Sequence, residues 1–286
     1  MVNIYMYSKD LIQITRPRAM YDKEIHALHN TRRISGDDNV EKLTKDFKEQ
    51  IDKWIHSHKR IKFTGLDQFP DRNVVLGVTH QLDDLHMQYK DHIAVFKGDY
   101  RYHWRLDANV HCRTLQTLVY PDIVVLSVPF PGIADIHPET MEILEKCRVF
   151  RIPVHIDAAW FGCSRNIELN CDHPAIQTVT FSLSKALGMG CHRIGLRYAR
   201  KPQAGPVKIM NDFGYTNIAD MYLGIQMMKK FGTDFWWNKY EKHYNKVCED
   251  FNLKPANAIH VAWDKDKLVG IRQLLRYLEE GSPGFI

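Results

Sequence analysis

The sequence predicts an α/β fold, a mostly parallel sheet sandwiched by helices, with a small α+β domain built from the two chain ends. Three observations carry this. Asn73–Val78, Asp122–Val128 and Gln177–Phe181 are short apolar runs bounded by turn residues, the pattern of strands buried on both faces. Stretches with apolar residues at three- and four-residue steps alternate with them, as βαβ units require. A hydrophobic content of 44% over 286 residues is enough for one large core and a small companion.

The first 35 residues are polar and irregular and read as an arm. From Val40 to His58, apolar Val40, Leu43, Phe47, Ile51, Trp54 and Ile55 share one face of a helix, with Asp37 or Asp38 as its cap. Beyond Pro70 the period changes. Asn73–Val78 reads as a strand, Gln81–Tyr89 as a helix and His92–Phe96 as the next strand. Asp122–Val128 follows, then a turn at Pro129-Phe130-Pro131-Gly132. A helix with Pro138 in its first turn runs to Cys147, burying Met141, Leu144 and Cys147, with Ile143 flanking. Val154–Ile156, Gln177–Phe181 and Arg193–Tyr198 are further strands. After a boundary at Pro202–Pro206 come helices at Asn217–Phe231 and Thr233–Phe251, a strand at Ala258–Trp263 and a last helix, Lys265–Glu280. Residues 60–200 form the large domain. Residues 1–59 supply an arm, a helix and part of the small domain, and 201–286 supply interdomain helices and the rest.

Composition excludes several classes. Pro (12) and Gly (16) are scattered, which argues against disorder, and no repeat suggests a solenoid. No apolar run approaches membrane-spanning length and no signal peptide is evident, so a cytoplasmic protein is expected. Lys and Arg number 39 against 34 Asp and Glu, a formal +5, but basic and acidic residues alternate. A nucleic-acid partner would concentrate that charge. The six cysteines are expected to be reduced. Cys163, Cys171, His173, Cys191 and His192 lack the close-pair spacing of a structural zinc site, and no metal is expected.

Two polar clusters fall where strands end, the edge at which open parallel sheets bind ligands. One is Val154-His155-Ile156-Asp157-Ala158-Ala159-Trp160; the other is Phe181-Ser182-Leu183-Ser184-Lys185, followed by Arg193. Taken singly, Asp157 is a turn residue, Lys185 a solvated cation and Arg193 a partner for Asp157. Together they supply an amine, an acid and phosphate donors. Pyridoxal phosphate needs these three: an amine to form an imine, an acid to keep its ring nitrogen protonated, and donors for its phosphate.

On these residues the chain resembles the fold-type I pyridoxal phosphate-dependent enzymes, and within them the class I/II aminotransferases. The resemblance runs from about residue 70 and is most specific over Asp157–Gly195. It implies that Lys185 holds the cofactor as an imine and shuttles a proton, and that Asp157 pairs with the ring nitrogen. Ser182, Ser184 and Arg193 would hold the phosphate in the large, cofactor-binding domain. Leu76-Gly77-Val78-Thr79-His80 resembles the family's phosphate turn, with Gly77, Val78 and Thr79 at a helix N-terminus. The alternative there is an ordinary strand-to-helix turn. Tyr100, Tyr102 and Trp104 are candidates to stack on the ring. Trp160 stands where the family often has a tyrosine bonded to the ring oxygen.

Departures accompany the matches. Phe130-Pro131-Gly132 replaces the family's Asn-Pro-x-Gly, and phenylalanine cannot donate to the ring oxygen. No arginine follows the last helix to take a substrate carboxylate, and Arg272 and Arg276 lie on that helix. Tyr215-Thr216-Asn217 reads either as a segment passed to a dimer partner's phosphate or as a helix cap. Phe235, Trp236, Trp237 and Tyr240 read as core or interface. The resemblance implies an aminotransferase-like homodimer moving an amino group between an amine or amino acid and a carbonyl acceptor. A lyase or decarboxylase on the same cofactor, and a non-catalytic binding protein on the same fold, are the alternatives.

Overall fold

The computed structural model describes residues 7–12, 19–29 and 39–280. In chain order its elements are α1 (Lys23–His29), α2 (Val40–His56), β1 (Ile61–Thr64), β2 (Asp71–Val75), α3 (Val78–Tyr89), β3 (Ile93–Phe96), α4 (His103–Leu106), β4 (His111–Arg113), β5 (Ile123–Ser127) and α5 (Thr140–Phe150). Then follow β6 (Val154–Ala158), β7 (Ile167–Asn170), β8 (Ile176–Ser182), α6 (Leu183–Ala186), β9 (Gly195–Ala199), α7 (Pro206–Asp212), α8 (Ile218–Lys230) and α9 (Phe235–Asp250). A short meander, β10 (Lys254–Pro255), β11 (Val261–Asp264) and β12 (Lys267–Gly270), and helix α10 (Arg272–Glu280) end the described chain.

Seven strands form the main sheet in the order β2-β9-β8-β6-β5-β3-β4. Only β9 runs against its neighbours, pairing antiparallel with both β8 and β2; the other pairings are parallel. The expected α/β fold with a mostly parallel, helix-covered sheet is therefore observed. Its strands are apolar throughout because both faces are covered: Val124, Val125, Leu126, Val154 and Ile156 are all buried. Outside it, β1 pairs with β7, and β10-β11-β12 form a small antiparallel sheet.

Several expectations are corrected. The α2 cap is Asn39, whose side chain accepts from the Lys42 amide at 2.9 Å; Asp37 and Asp38 lie outside the described residues. The reading of the first 35 residues as an arm does not hold for their described part, since Leu11, Met20 and Ile25 are buried in the main core. Asp22 anchors this segment. It accepts from the Glu24 and Ile25 amides, starting α1, and from Lys239 and Tyr240 of α9.

In α5, Met141 is exposed while Thr140, Ile143, Leu144 and Cys147 are buried. Three-residue steps drift around a helix, leaving Met141 about 120° from Cys147, whereas the observed four lie within roughly 100° of arc. Pro138 precedes the helix rather than opening it. At the far end, Lys265–Glu280 is not one helix. Lys265 adopts a left-handed backbone (φ 54°) in a tight turn between β11 and β12, and α10 begins only at Arg272. The aromatic set of α9 is core: Trp236, Trp237 and Tyr240 are fully buried.

Candidate active site

The C-terminal edge of the parallel strands collects the predicted residues. Strand β2 runs into Gly77, whose positive φ (75°) lets the chain turn into α3. The expected strand through Val78 thus stops at Val75, and Val78 and Thr79 occupy the first turn of α3. Strand β6 carries Asp157 at its last position but one, and β8 ends at Ser182, which caps the short α6 carrying Ser184 and Lys185. Arg193 lies two residues before β9, whose first residue, Gly195, lets that strand approach the Phe181 carbonyl more closely than any Cβ would permit.

Arg193 closes a cradle. Its Nη2 donates to Thr79 Oγ1 at 2.6 Å and its Nη1 to Ser184 Oγ at 3.0 Å. The Ser182 hydroxyl donates to Ser184 Oγ at 2.9 Å and accepts from the Ser184 amide. A Cβ at Gly77 would stand 2.6 Å from Arg193 Nη2, so the guanidinium lies directly over that glycine. A guanidinium, three hydroxyls and the N-terminus of a 12-residue helix converge here. Such a gathering of donors at a helix N-terminus is chemically suited to an anion. The pairing of Arg193 with Asp157 considered from sequence is not what forms.

Asp157 is buried, and its carboxylate accepts from the Ala159 amide at 2.8 Å. Burial first, and then the neighbouring Asp99 charge, push its carboxyl up to about 7. Asp99, also buried, follows β3, and burial pushes it up to about 6. Its carboxylate accepts from the Tyr100 amide and from both the amide and hydroxyl of Ser127. Neither carboxylate forms an ion pair among the described residues.

Lys185 is half-buried, with Cys163 and His260 near enough to feel its charge. Trp160 is buried with its ring edge-on to His260 at 4.5 Å. Tyr102 donates its hydroxyl to Asp83 of α3 at 2.7 Å and stacks on Tyr100 at 5.8 Å. Phe130 packs edge-on against His137. Arg272 donates to the Ala19 carbonyl, and Arg276 lies over the Tyr21 ring at 3.9 Å, so both are engaged by the N-terminal segment. Asn217 caps α8 by accepting from the Asp220 amide, as its cap reading required.

Asp99, Ser127 and His260 were not singled out in the sequence. Asp99 and Ser127 had a signal available, since each is a polar residue at or just past the end of an apolar run. His260 had none, because its position against Trp160 depends on the small sheet docking. The cysteine–histidine group is dispersed among other contacts. His173 meets Glu145, His192 meets Asp220, and Cys163 donates to the Trp160 carbonyl. Among the described residues no cluster of three or more such side chains could hold a metal.

No protein-family model matches the chain, and no curated protein matches it significantly. Solved structures do. The PLP-bound C-S lyase of Staphylococcus hominis superposes with a TM-score of 0.64 at 10% identity, over 98% of this chain and 88% of that one. Cystalysin of Treponema denticola, which contains pyridoxal 5'-phosphate, gives 0.60 at 10% identity over 91% and 76%. Alanine aminotransferase of Pyrococcus furiosus gives 0.54 at 14% identity over 76% and 72%. The sheet order and these superpositions show that the chain has the fold of the fold-type I pyridoxal phosphate-dependent enzymes.

Proposed function

We propose that the chain binds pyridoxal 5'-phosphate and uses it to transfer an amino group between an amine or amino acid and a carbonyl acceptor. The observation that carries this is the Arg193 cradle over Gly77, on the same sheet edge as Lys185 and a buried Asp157 that forms no ion pair among the described residues. The residues fit the cofactor in charge as well as position. The cradle offers donors to a dianionic phosphate, and two buried carboxylates stand ready for a cationic ring.

When bound, the cofactor supplies an aldehyde for an amine and an electron sink for a carbanion. Arg193, Thr79, Ser182, Ser184 and the first amides of α3 bind the phosphate. Asp157 holds the proton on the ring nitrogen. Tyr100, Tyr102 or Trp104, together with Trp160, would supply the aromatic surface that holds the ring. Lys185 would hold the cofactor's aldehyde and would move the proton at the substrate α-carbon. Solved structures of this fold include enzymes named as aminotransferases, which supports the transfer reading. A homodimer in the cytoplasm belongs to the same proposal; six unpaired cysteines, four of them buried, support a reducing compartment.

The test is the absorption spectrum of the purified protein, soaked in pyridoxal phosphate, before and after borohydride. A band near the visible edge that borohydride removes, with label on the Lys185 peptide, is expected. No band overturns the reading and leaves a binding protein on the same fold. Lys185→Ala is expected to lose at least about 10²-fold in turnover. Repeated turnover with an amino donor is expected only with an added keto acceptor, and turnover without one would point to a lyase.

A further inference from the structure

The tips of β5 and β6 hold two carboxylates where the cofactor reading needs one. Ser127 on β5 is in register with Asp157 on β6, so their side chains share a face of the sheet on strands roughly 4.8 Å apart. Asp99, arriving from the end of β3, is fastened to Ser127 through that residue's amide and hydroxyl. The Asp99 carboxylate is therefore delivered beside Asp157. Both are buried, each is held by neutral donors, and no cation is paired with either among the described residues.

The next polar position on the same face is Thr180 of β8, in register with Asp157, and its hydroxyl has no partner among the described residues. Arg197 of β9 follows in register, but it is committed to Asn73 and to Gln81 and Asp84 of α3. His155, two residues before Asp157 on β6, is kept neutral by burial (about 3). Two adjacent carboxylates in such a place do not both ionise; they share a proton.

We propose that Asp99 and Asp157 form a carboxylate couple that holds one proton in the cofactor-free protein and passes it to the ring nitrogen when the cofactor binds. The proposal rests on the cofactor reading above. In the step, the O–H bond of the Asp157 carboxylic acid breaks and an N–H bond forms at the ring nitrogen. The couple goes from a net charge of −1 to −2 as the ring gains +1, so charge is conserved without a proton from solvent. Asp99 is a positioning residue: it acts through Asp157 and keeps that proton in place.

Two readouts test this, one of which does not involve the cofactor. The first compares the pH dependence of unfolding free energy in cofactor-free wild type, Asp99→Asn and Asp157→Asn. A carboxyl whose folded pKa is raised binds more protons folded than unfolded, so it stabilises at low pH and loses that contribution as pH rises through the folded value. Relative to wild type, both variants are expected to gain stability between about pH 5 and pH 8, and the double variant to gain less than the sum. Additive or pH-independent differences overturn the couple.

The second is calorimetric titration with pyridoxal phosphate at pH 6.5 in Mops and in imidazole buffer, whose ionisation heats differ. Asp99→Asn is expected to take more proton from buffer than wild type on binding, by up to about one proton. Equal uptake overturns the delivery step. Failure of wild type to bind the cofactor overturns the reading of the site and the delivery step with it. The stability comparison then decides whether the couple itself is present.

Discussion

Arg193 and Arg197 sit four residues apart and do opposite things. Arg193 reaches out to the edge of the sheet and meets hydroxyls; Arg197 is entirely buried and meets Asp84, which is equally buried. Burial pulls both members of that pair toward neutrality, and each partner's charge opposes it. Replacing Asp84 by Leu leaves the guanidinium uncompensated and is expected to cost about 3–5 kcal/mol, read as the shift in a urea unfolding curve. At the cradle, Gly77→Ala places a methyl 2.6 Å from Arg193 Nη2 at a φ of 75°. Strain of about 1–3 kcal/mol is expected, and the guanidinium must move. Affinity for pyridoxal phosphate, measured by titration of the absorption band, is expected to fall at least about tenfold while the far-ultraviolet circular dichroism stays native.

The elements show which local signals suffice. Helix α8 starts where Asn217 accepts from the Asp220 amide, and the same side chain donates to the Asp220 carboxylate. Asn217→Ala is expected to cost about 1 kcal/mol in chemical denaturation. The amphipathic period of α2 was readable because Phe47, Ile51, Trp54 and Ile55 repeat at three- and four-residue steps and are the buried residues of that helix. The β11–β12 hairpin was not readable. Its turn is Lys265-Asp266, with no glycine or asparagine to announce a positive φ, and the four-residue strand after it is too short to stand out.

At the scale of the whole molecule, buried histidines set the response to acid. His103, His155 and His260 are each held near 3 by burial and stay uncharged in the native state at neutral pH. A base with a depressed folded pKa stabilises above its unfolded value and loses that contribution as pH falls toward the folded one. Stability from these groups is therefore expected to decline from about pH 6.5 to pH 3. A His155→Gln variant is expected to show a shallower decline in an acid titration followed by tryptophan fluorescence.

The α/β fold class and the strand-end clusters were legible in the residue order alone. Apolar runs of strand length between amphipathic helices leave little choice of architecture, and polar residues at the ends of such runs are forced to the sheet edge. Ser182, Ser184, Lys185 and Arg193 were legible for that reason, as was Asp157. Which strand ends become neighbours depended on how the chain packs. Strand order puts Ser127 beside Asp157, brings Gly77 and Thr79 under Arg193, and sends the two C-terminal arginines to the N-terminal segment. These are contacts between residues tens to hundreds of positions apart. They are fixed by sheet register and helix docking, which no local spacing encodes.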